Sequence, residues 1–187
     1  MSKTYVFLAD GFEEIEGLMV VDLLRRGGIH VTTVSIMGRP QVTGRSDIEV
    51  KADCLFEEVT SFADGDMLVL PGGMPGTRYL EEYDPLRKLI ASYCGQGKKI
   101  AAICAAPTVF GKMGLLKGKK ATCYPGMEQL LLDAECSEEE VVVDGNITTS
   151  RGLGTALVFS LKLIEQLEGP QRAQKVAESV VFLHNWA

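Results

Sequence analysis

The sequence lacks a long hydrophobic stretch, a recognisable leader and an excess of basic residues. No apolar run approaches the roughly 20 residues that a membrane-spanning helix needs. The first residues, Met1–Thr4, lead straight into an apolar segment without the pattern of a secretory leader. The formal net charge is −6 and the basic residues are scattered, which argues against binding to nucleic acid. These absences predict a cytoplasmic protein that binds neither membranes nor nucleic acid.

Histidine is scarce, and the cysteines lack the spacing of a metal site. The five cysteines form no C-x-x-C pair and are odd in number, which disfavours a disulfide framework and a structural zinc site. We therefore expect no metal and no other cofactor. Only His30 and His184 occur, and neither is placed by the sequence to serve a catalytic cysteine. The Gly-x-Ser-x-Gly motif of serine hydrolases is also absent.

Length and composition are those of an ordinary globular protein. The 187 residues predict one domain, 1–187, and the hydrophobic fraction of 46% is sufficient for a sizeable core. Apolar runs of strand length alternate with segments of helical periodicity. The predicted strands are Tyr5–Ala9, Val31–Ile36, Met67–Leu70, Ile100–Ile103 and Lys120–Cys123. The predicted helices are Glu13–Arg26, Pro85–Cys94, Ala105–Met113, Glu128–Asp133, Leu153–Leu167 and Gln171–Leu183.

Two further segments predict antiparallel pairs. Val141–Val143 and Ile147–Thr149 flank the turn sequence Asp144-Gly145-Asn146, and a shorter pair is predicted around residues 42–50. The alternation elsewhere predicts an α/β protein: a three-layer, mainly parallel sheet with helices on both faces. In such sheets ligands bind at the carboxyl ends of the strands. We expect the loops at Asp10–Glu16, 71–76 and 104–106 to meet at one edge.

Cys104 is the candidate nucleophile because it ends a buried strand and precedes a predicted helix. At such a junction the side chain is exposed, and backbone N–H groups and the helix N-terminus stabilise a thiolate. Glu16 is its candidate proton partner. Val20 and Leu23 follow it at helical spacing, so Glu16 faces inward, where burial raises a carboxyl pKa. The alternative is an ordinary surface glutamate.

Gly72 and Gly73 follow the strand Met67–Leu70 and are candidate backbone donors to an oxyanion, together with the N–H of Ala105. The alternative is a simple tight turn. Arg151, in the segment 150–155, is a candidate for pairing with an anion or a carboxylate. That segment lacks the G-x-G-x-x-G and G-K-[ST] patterns of nucleotide sites.

These motifs together resemble the DJ-one/ThiJ/PfpI superfamily, in its small single-domain branch. Five blocks carry the resemblance, in order along essentially the whole chain: residues 10–16 (DGFEEIE), 22–28 (DLLRRGG), 70–73 (LPGG), 101–107 (AAICAAP) and 149–155 (TSRGLGT). The resemblance implies a flavodoxin-like sandwich that forms a homodimer. It further implies that Cys104 is a nucleophile that oxidises to a sulfinate and that Glu16 is protonated beside the sulfur.

The resemblance also implies activities. They are conversion of methylglyoxal to lactate (glyoxalase III-like), a debated deglycase activity, chaperone-like holding and redox sensing. The chain departs from the family in one position, since Tyr124 stands where several members have a histidine. A phenol with a pKa near 10 does not replace imidazole as a base at neutral pH, although it donates a hydrogen bond. The sequence thus predicts a Cys104–Glu16 enzyme acting on a small carbonyl substrate, with a redox sensor or stress chaperone as the alternative.

Overall fold

The computed structural model describes residues 1–184, so the last three residues of the predicted 1–187 domain lie outside it. Seven strands form the main sheet in the spatial order β10-β11-β7-β6-β1-β2-β5. They are β1 (Lys3–Leu8), β2 (His30–Ser35), β5 (Cys54–Leu55), β6 (Met67–Leu70), β7 (Lys99–Ile103), β10 (Val141–Asp144) and β11 (Ile147–Ser150). Only β10 and β11 pair antiparallel in this sheet, and every other pair is parallel. The two remaining pairs are β3 (Gln41–Thr43) with β4 (Glu49–Lys51) and β8 (Lys120–Ala121) with β9 (Glu135–Cys136).

Helices cover both faces of the sheet. They are α1 (Glu14–Arg26), α2 (Gly76–Glu82), α3 (Asp84–Gly95), α4 (Pro107–Lys112), α5 (Ala156–Glu168) and α6 (Pro170–Ser179). Helices α1, α5 and α6 pack on one face, and α2, α3 and α4 pack on the other. This is the predicted three-layer, flavodoxin-like arrangement, which is confirmed. Within residues 1–184, no helix has both the length and the apolar character needed to cross a bilayer.

The strands are buried on both faces because consecutive side chains enter opposite cores. In β1, Val6 and Leu8 pack with α1 and α5, whereas Tyr5 and Phe7 pack with α3 and its neighbours. All four side chains are at most 2% exposed. Burying a side chain such as that of Phe7 stabilises the fold by about 2–3 kcal/mol. The continuous apolar runs seen in the sequence are therefore parallel-sheet strands.

Several predicted boundaries are wrong at their ends. The helix expected at Ala105–Met113 begins only at Pro107, the strand expected at Lys120–Cys123 ends at Ala121, and the last helix ends at Ser179. The helix α2 was not predicted, because Gly76 and the prolines around it indicate a loop. Its start lies close against Phe12, where a side chain at Gly76 would collide with backbone atoms. Tertiary packing therefore decides the conformation of this segment.

The chain order of the strands creates a crevice at one edge of the sheet. After β1 the chain builds outward through β2 and β5, whereas β6, β7 and β11 build in the opposite direction. The crevice between such halves opens at the carboxyl ends of the strands. The first turn of α1, which follows β1, carries Glu16, and the loops after β6 and β7 carry Gly72 and Cys104, so the topology brings the predicted site residues to one place.

Candidate active site

The loops after β1, β6 and β7 meet at Gly72. A Cβ atom added to this glycine would lie 2.6 Å from the Cβ of Cys104 and 2.6 Å from Oε2 of Glu16. Such distances are too short for any side chain, so only glycine allows the thiol and the carboxyl to approach across this loop. The sequence prediction that these three loops share one edge is confirmed.

Cys104 adopts a backbone conformation that is rare for a residue with a side chain. Its φ is +65°, in the left-handed region, and strain of this kind is held only where the surroundings fix it. Here the Cys104 N–H donates to the carbonyl of Ser150 at 2.9 Å, and the Cys104 carbonyl accepts from the N–H of Tyr124 at 2.8 Å. These bonds hold a sharp turn between β7 and α4 that leaves the thiol partly exposed at the rim.

Glu16 is almost completely buried, with 1% of its surface exposed. Its Oε2 accepts the N–H of Gly72 at 2.9 Å, and its own N–H donates to Oε2 of Glu13 at 2.8 Å. The other carboxyl oxygen, Oε1, has no aligned hydrogen-bond partner among residues 1–184. Glu16 is therefore fixed in orientation but keeps one oxygen available for chemistry.

Burial raises the pKa of Glu16 to about 7. The neighbouring Glu13 carboxylate also raises it, whereas the interaction with the Cys104 thiol, the Gly72 N–H and the charge of Arg45 lower it. The predicted inward orientation and raised pKa of Glu16 are confirmed. A carboxyl with this pKa both donates and accepts a proton near neutral pH, as a general acid–base must.

The sequence predicted a stabilised thiolate at Cys104, and hence a lowered thiol pKa. When Glu16 is ionised, this prediction is wrong. Burial, together with the charge and hydrogen bonding of the Glu16 carboxylate, raises the pKa of Cys104 to about 12. The helix that was expected to stabilise the thiolate begins three residues beyond the cysteine and is only six residues long. Protonation of Glu16 removes the repulsion, because the neutral carboxyl carries no charge. With a pKa of about 7 for Glu16 and about 12 for Cys104, the pair holds two protons below the pKa of Glu16 and one proton above it.

Two backbone donors face the Cys104 sulfur. The N–H groups of Ala105 and Gly73 each favour the thiolate and lower its pKa. Gly73 has φ +91°, and a Cβ there would collide with the backbone of residues 11–13, so glycine is required. The Gly72 N–H donates to Glu16 instead, and we assign it to holding the carboxyl and not to an oxyanion.

Tyr124 and Arg151 lie near this turn but are not part of the thiol–carboxyl pair. The Tyr124 side chain is 52% exposed, and its ring lies beside Gly152. The Arg151 guanidinium acts on the pKa of Cys123, which it lowers against the larger effect of burial. Its Nη1 is buried without a hydrogen-bond partner within the described chain. Cys123 is fully buried, as expected if packing is its role.

Arg45 is a site residue that the sequence did not reveal. It lies on the turn between β3 and β4, and its charge lowers the pKa of Glu16 from 29 positions away in the chain. Neither periodicity nor a motif points to it. The sequence offered one weak indication of Arg45: it lies within the short antiparallel pair predicted around residues 42–50. This pair follows the second strand of the sheet.

Comparison with known proteins agrees with this site. Residues 2–166 match the model of the DJ-1/PfpI family. The chain belongs to the DJ-1/PfpI family. The resemblance inferred from the five sequence blocks is thereby confirmed.

Relatives in this family come from distant organisms. The chain is 42% identical to Protein DJ-1 homolog B of Arabidopsis thaliana over 98% of its length, but it spans only 42% of that protein. It is 40% identical to Protein dj-1beta of Drosophila melanogaster, covering 99% of this chain and all of the relative. A glutathione-independent glyoxalase of Caenorhabditis elegans, DJR-1.2, is 31% identical over 88% of this chain and 87% of that protein.

A solved DJ-1/PfpI structure has the same fold throughout. The structure of oxidized DJ-1 from Toxoplasma gondii superposes with a TM-score of 0.94 at 36% identity, covering 98% of this chain and 100% of the other. The family and the fold are thus shown by sequence and by structure independently.

Proposed function

We propose that this member of the DJ-1/PfpI family converts a 2-oxoaldehyde, such as methylglyoxal, into the corresponding 2-hydroxy acid. The observation that carries the proposal is the buried Glu16 carboxyl beside Cys104, with a pKa of about 7. A reaction that moves protons between neighbouring carbon and oxygen atoms needs an acid–base of this pKa. The relative named as a glutathione-independent glyoxalase supports the same chemistry.

The first step is attack of the Cys104 sulfur on the aldehyde carbon, while the Glu16 carboxylate takes the thiol proton. A carbon–sulfur bond forms, the carbonyl electron pair moves to oxygen, and a hemithioacetal results. The N–H groups of Gly73 and Ala105, which already favour negative charge at the sulfur, stabilise the developing oxyanion. Glu16 then supplies the proton that neutralises this oxygen.

The second step uses Glu16 as a base. Its carboxylate removes the hydrogen of the former aldehyde carbon as a proton and returns it to the neighbouring ketone carbon. The hydroxyl on the first carbon gives up its proton, and the oxygen on the second carbon gains one. The first carbon is thereby oxidised to a thioester while the second is reduced to an alcohol, so no external oxidant is needed. Water hydrolyses the thioester, which releases the 2-hydroxy acid and restores the Cys104 thiol.

Substitution of the two reacting side chains tests this mechanism. Cys104→Ala and Glu16→Gln should each abolish methylglyoxal turnover, measured as lactate formed per enzyme. Cys136→Ala is the matched control, because Cys136 is exposed and, among residues 1–184, its side chain donates to the carbonyl of Glu128 alone. Retained turnover in either site variant would contradict the assignment, as would loss of turnover in the control.

Redox sensing is the second candidate function. Cys104 is partly exposed beside the Glu16 carboxyl, and a protonated carboxyl is a donor suited to the oxygens of an oxidised cysteine. The related DJ-1 structure from Toxoplasma gondii is that of an oxidized protein. A peroxide would convert the thiol to a sulfenic acid with release of water, and a second peroxide would give the sulfinate. Intact-mass measurement after mild peroxide distinguishes the functions: two added oxygens at Cys104 without aldehyde turnover favour the sensor.

We also propose that two copies of the chain pair through the outer face of α1. Ile15 and Leu18 are 44% and 38% exposed there, and with Leu157 and Val180 they line an apolar groove of about 370 Å³. Exposed apolar patches of this kind mark interaction surfaces, so a charged residue placed at the centre of this one should prevent association.

The expected setting of the protein is the cytoplasm, where the five free cysteines stay reduced.

A further inference from the structure

The turn between β3 and β4 is fastened to the segment that carries Glu16. Four hydrogen bonds join the two segments. They are Gly11 N–H to the Thr43 carbonyl at 2.7 Å, Thr43 N–H to Asp10 Oδ1 at 3.0 Å, Arg45 N–H to the Phe12 carbonyl at 2.9 Å, and Ser46 N–H to Glu14 Oε1 at 2.7 Å. The turn therefore follows the β1–α1 connection residue by residue, and Glu14 provides its last attachment.

Glu14 is buried under this turn. Only 2% of its surface is exposed, although it begins α1 at a position where glutamates usually face solvent. Gly44 lies directly on the carboxyl, and a Cβ at Gly44 would overlap with the Cδ and Oε1 atoms of Glu14. The contact is thus specific in two ways, through a hydrogen bond to Ser46 and through a close fit to Gly44.

The carboxyl of Glu14 is incompletely satisfied in this position. Its Oε2 is buried without a hydrogen-bond partner within residues 1–184. Burial of a half-satisfied carboxyl opposes folding, so stability alone is a poor explanation for a glutamate here. The mechanism proposed above does not use Glu14 either. Its one strong contact is to the turn, and the turn carries Arg45.

Arg45 is the cation that acts on Glu16, the carboxyl of the thiol–carboxyl pair. It is exposed, it makes no side-chain hydrogen bond or ion pair within the described residues, and its backbone is held against Phe12. The groups that influence Glu16 are Cys104 from the end of β7, Gly72 from the end of β6, Glu13 from its own segment and Arg45 from the turn. Arg45 is the only cation among these four.

We propose that Glu14 is a positioning residue, which holds the β3–β4 turn in place so that the positive charge of Arg45 keeps acting on Glu16, the proton partner of Cys104. The charge makes proton loss from the pair easier and favours the anionic intermediates of the reaction. The expected effect on turnover rests on the proposed function. The expected effect on proton loss from the thiol–carboxyl pair does not, because it is measured without substrate.

The test measures the rate of Cys104 alkylation by iodoacetamide against pH, with the modified peptide quantified by mass spectrometry. Removal of a nearby positive charge moves the midpoint to higher pH, whichever group of the pair loses the proton. Arg45→Ala and Glu14→Ala should each raise the midpoint by about half a pH unit, as for a partly screened charge at short range. The double variant should shift no further than Arg45→Ala alone, since both act through one charge.

Three further variants separate positioning from other roles. Glu14→Gln keeps an acceptor oxygen for Ser46 and should retain the wild-type midpoint, whereas a role of the Glu14 charge at the helix N-terminus would be lost. Ser46→Ala keeps the backbone N–H and should be silent. Gly44→Ala forces the Glu14 carboxyl and the turn apart without removing Glu14, and should reproduce the shift of Glu14→Ala even if that variant folds poorly.

The proposal is overturned if Arg45→Ala leaves the midpoint unchanged, or if the shift caused by Glu14→Ala or Gly44→Ala persists in full in the Arg45→Ala background. Failure of the proposed function gives a different result. In that case wild-type protein fails to turn over methylglyoxal, while the alkylation midpoints still follow the pattern above.

Discussion

The titration of Glu16 should make the stability of the protein depend on pH in a defined range. Replacement of Glu16 by glutamine removes the titrating group but retains a side chain of the same size with an oxygen for the Gly72 N–H. Glu16 has a pKa of about 7 in the folded protein, against 4.5 in the absence of burial. The folded state thus holds the proton over a range in which the unfolded state has lost it.

The sign and size of the effect follow from this difference. A raised folded-state pKa gives stability that is fully present below pH 4.5 and is lost as the pH rises to about 7. A difference of roughly 2.5 units corresponds to about 3 kcal/mol in total, of which about 2.5 kcal/mol is lost between pH 5 and pH 8. The Glu16→Gln variant has no such loss. Its advantage over wild type should therefore grow by about 2.5 kcal/mol over this range.

Urea unfolding at several pH values measures the effect. The free energy of unfolding is obtained for both proteins at equal protein concentration, because association would otherwise contribute. All other titrating groups are common to the two proteins, so their difference isolates Glu16. A difference that stays constant from pH 5 to pH 8 would refute a Glu16 pKa near 7, and with it the acid–base role.

Two further substitutions with one control test the geometry of the site, and a fourth variant tests the dimer interface. Gly72→Ala places a Cβ 2.6 Å from both Cys104 and Glu16, so it should abolish turnover and destabilise the fold by about 1–3 kcal/mol in urea. Gly95→Ala, which meets no atom within 4 Å, is its control and should leave both unchanged. Tyr124→Phe should change kcat by less than about threefold, because the side chain is largely exposed and Cys104 is held by the Tyr124 backbone; a much larger loss would assign the phenol a catalytic role. Leu18→Glu should convert a dimer to a monomer in analytical ultracentrifugation, and an unchanged mass would place the interface elsewhere.

The elements of this fold could be predicted because each depends on local pattern. Apolar runs such as Met67–Leu70 have the length and composition of strands buried on both faces, and the structure has this strand at those bounds. The hairpin at Asp144-Gly145-Asn146 was equally clear, since its turn residues allow only a narrow set of connections. The ends of the elements were predicted less accurately. Helix α4 begins at Pro107 and not at Ala105, because the strained turn at Cys104 delays the helix.

The sequence predicted the residues of the candidate site but not the direction of the Cys104 pKa shift. Cys104 and Glu16 could be found from their places at strand ends and on the inner face of a helix. The direction of the Cys104 pKa could not, because it depends on burial and on the charge of a carboxyl that is distant in sequence. The different roles of Gly72 and Gly73 could not be predicted either, because they depend on contacts with distant residues. The two glycines are adjacent in the chain, yet the Gly72 N–H donates to Glu16 and the Gly73 N–H faces the sulfur.

The sequence by itself determined the alternation of strands and helices, the family, and the identities of the thiol and the carboxyl. These follow from local periodicity and from short motifs, which tertiary contacts do not alter. Only the tertiary structure decided that burial and the Glu16 carboxylate raise the pKa of Cys104, and that the charge of Arg45 reaches Glu16. Charge and burial act through space, so residues from four separate segments of the chain fix the chemistry of one thiol.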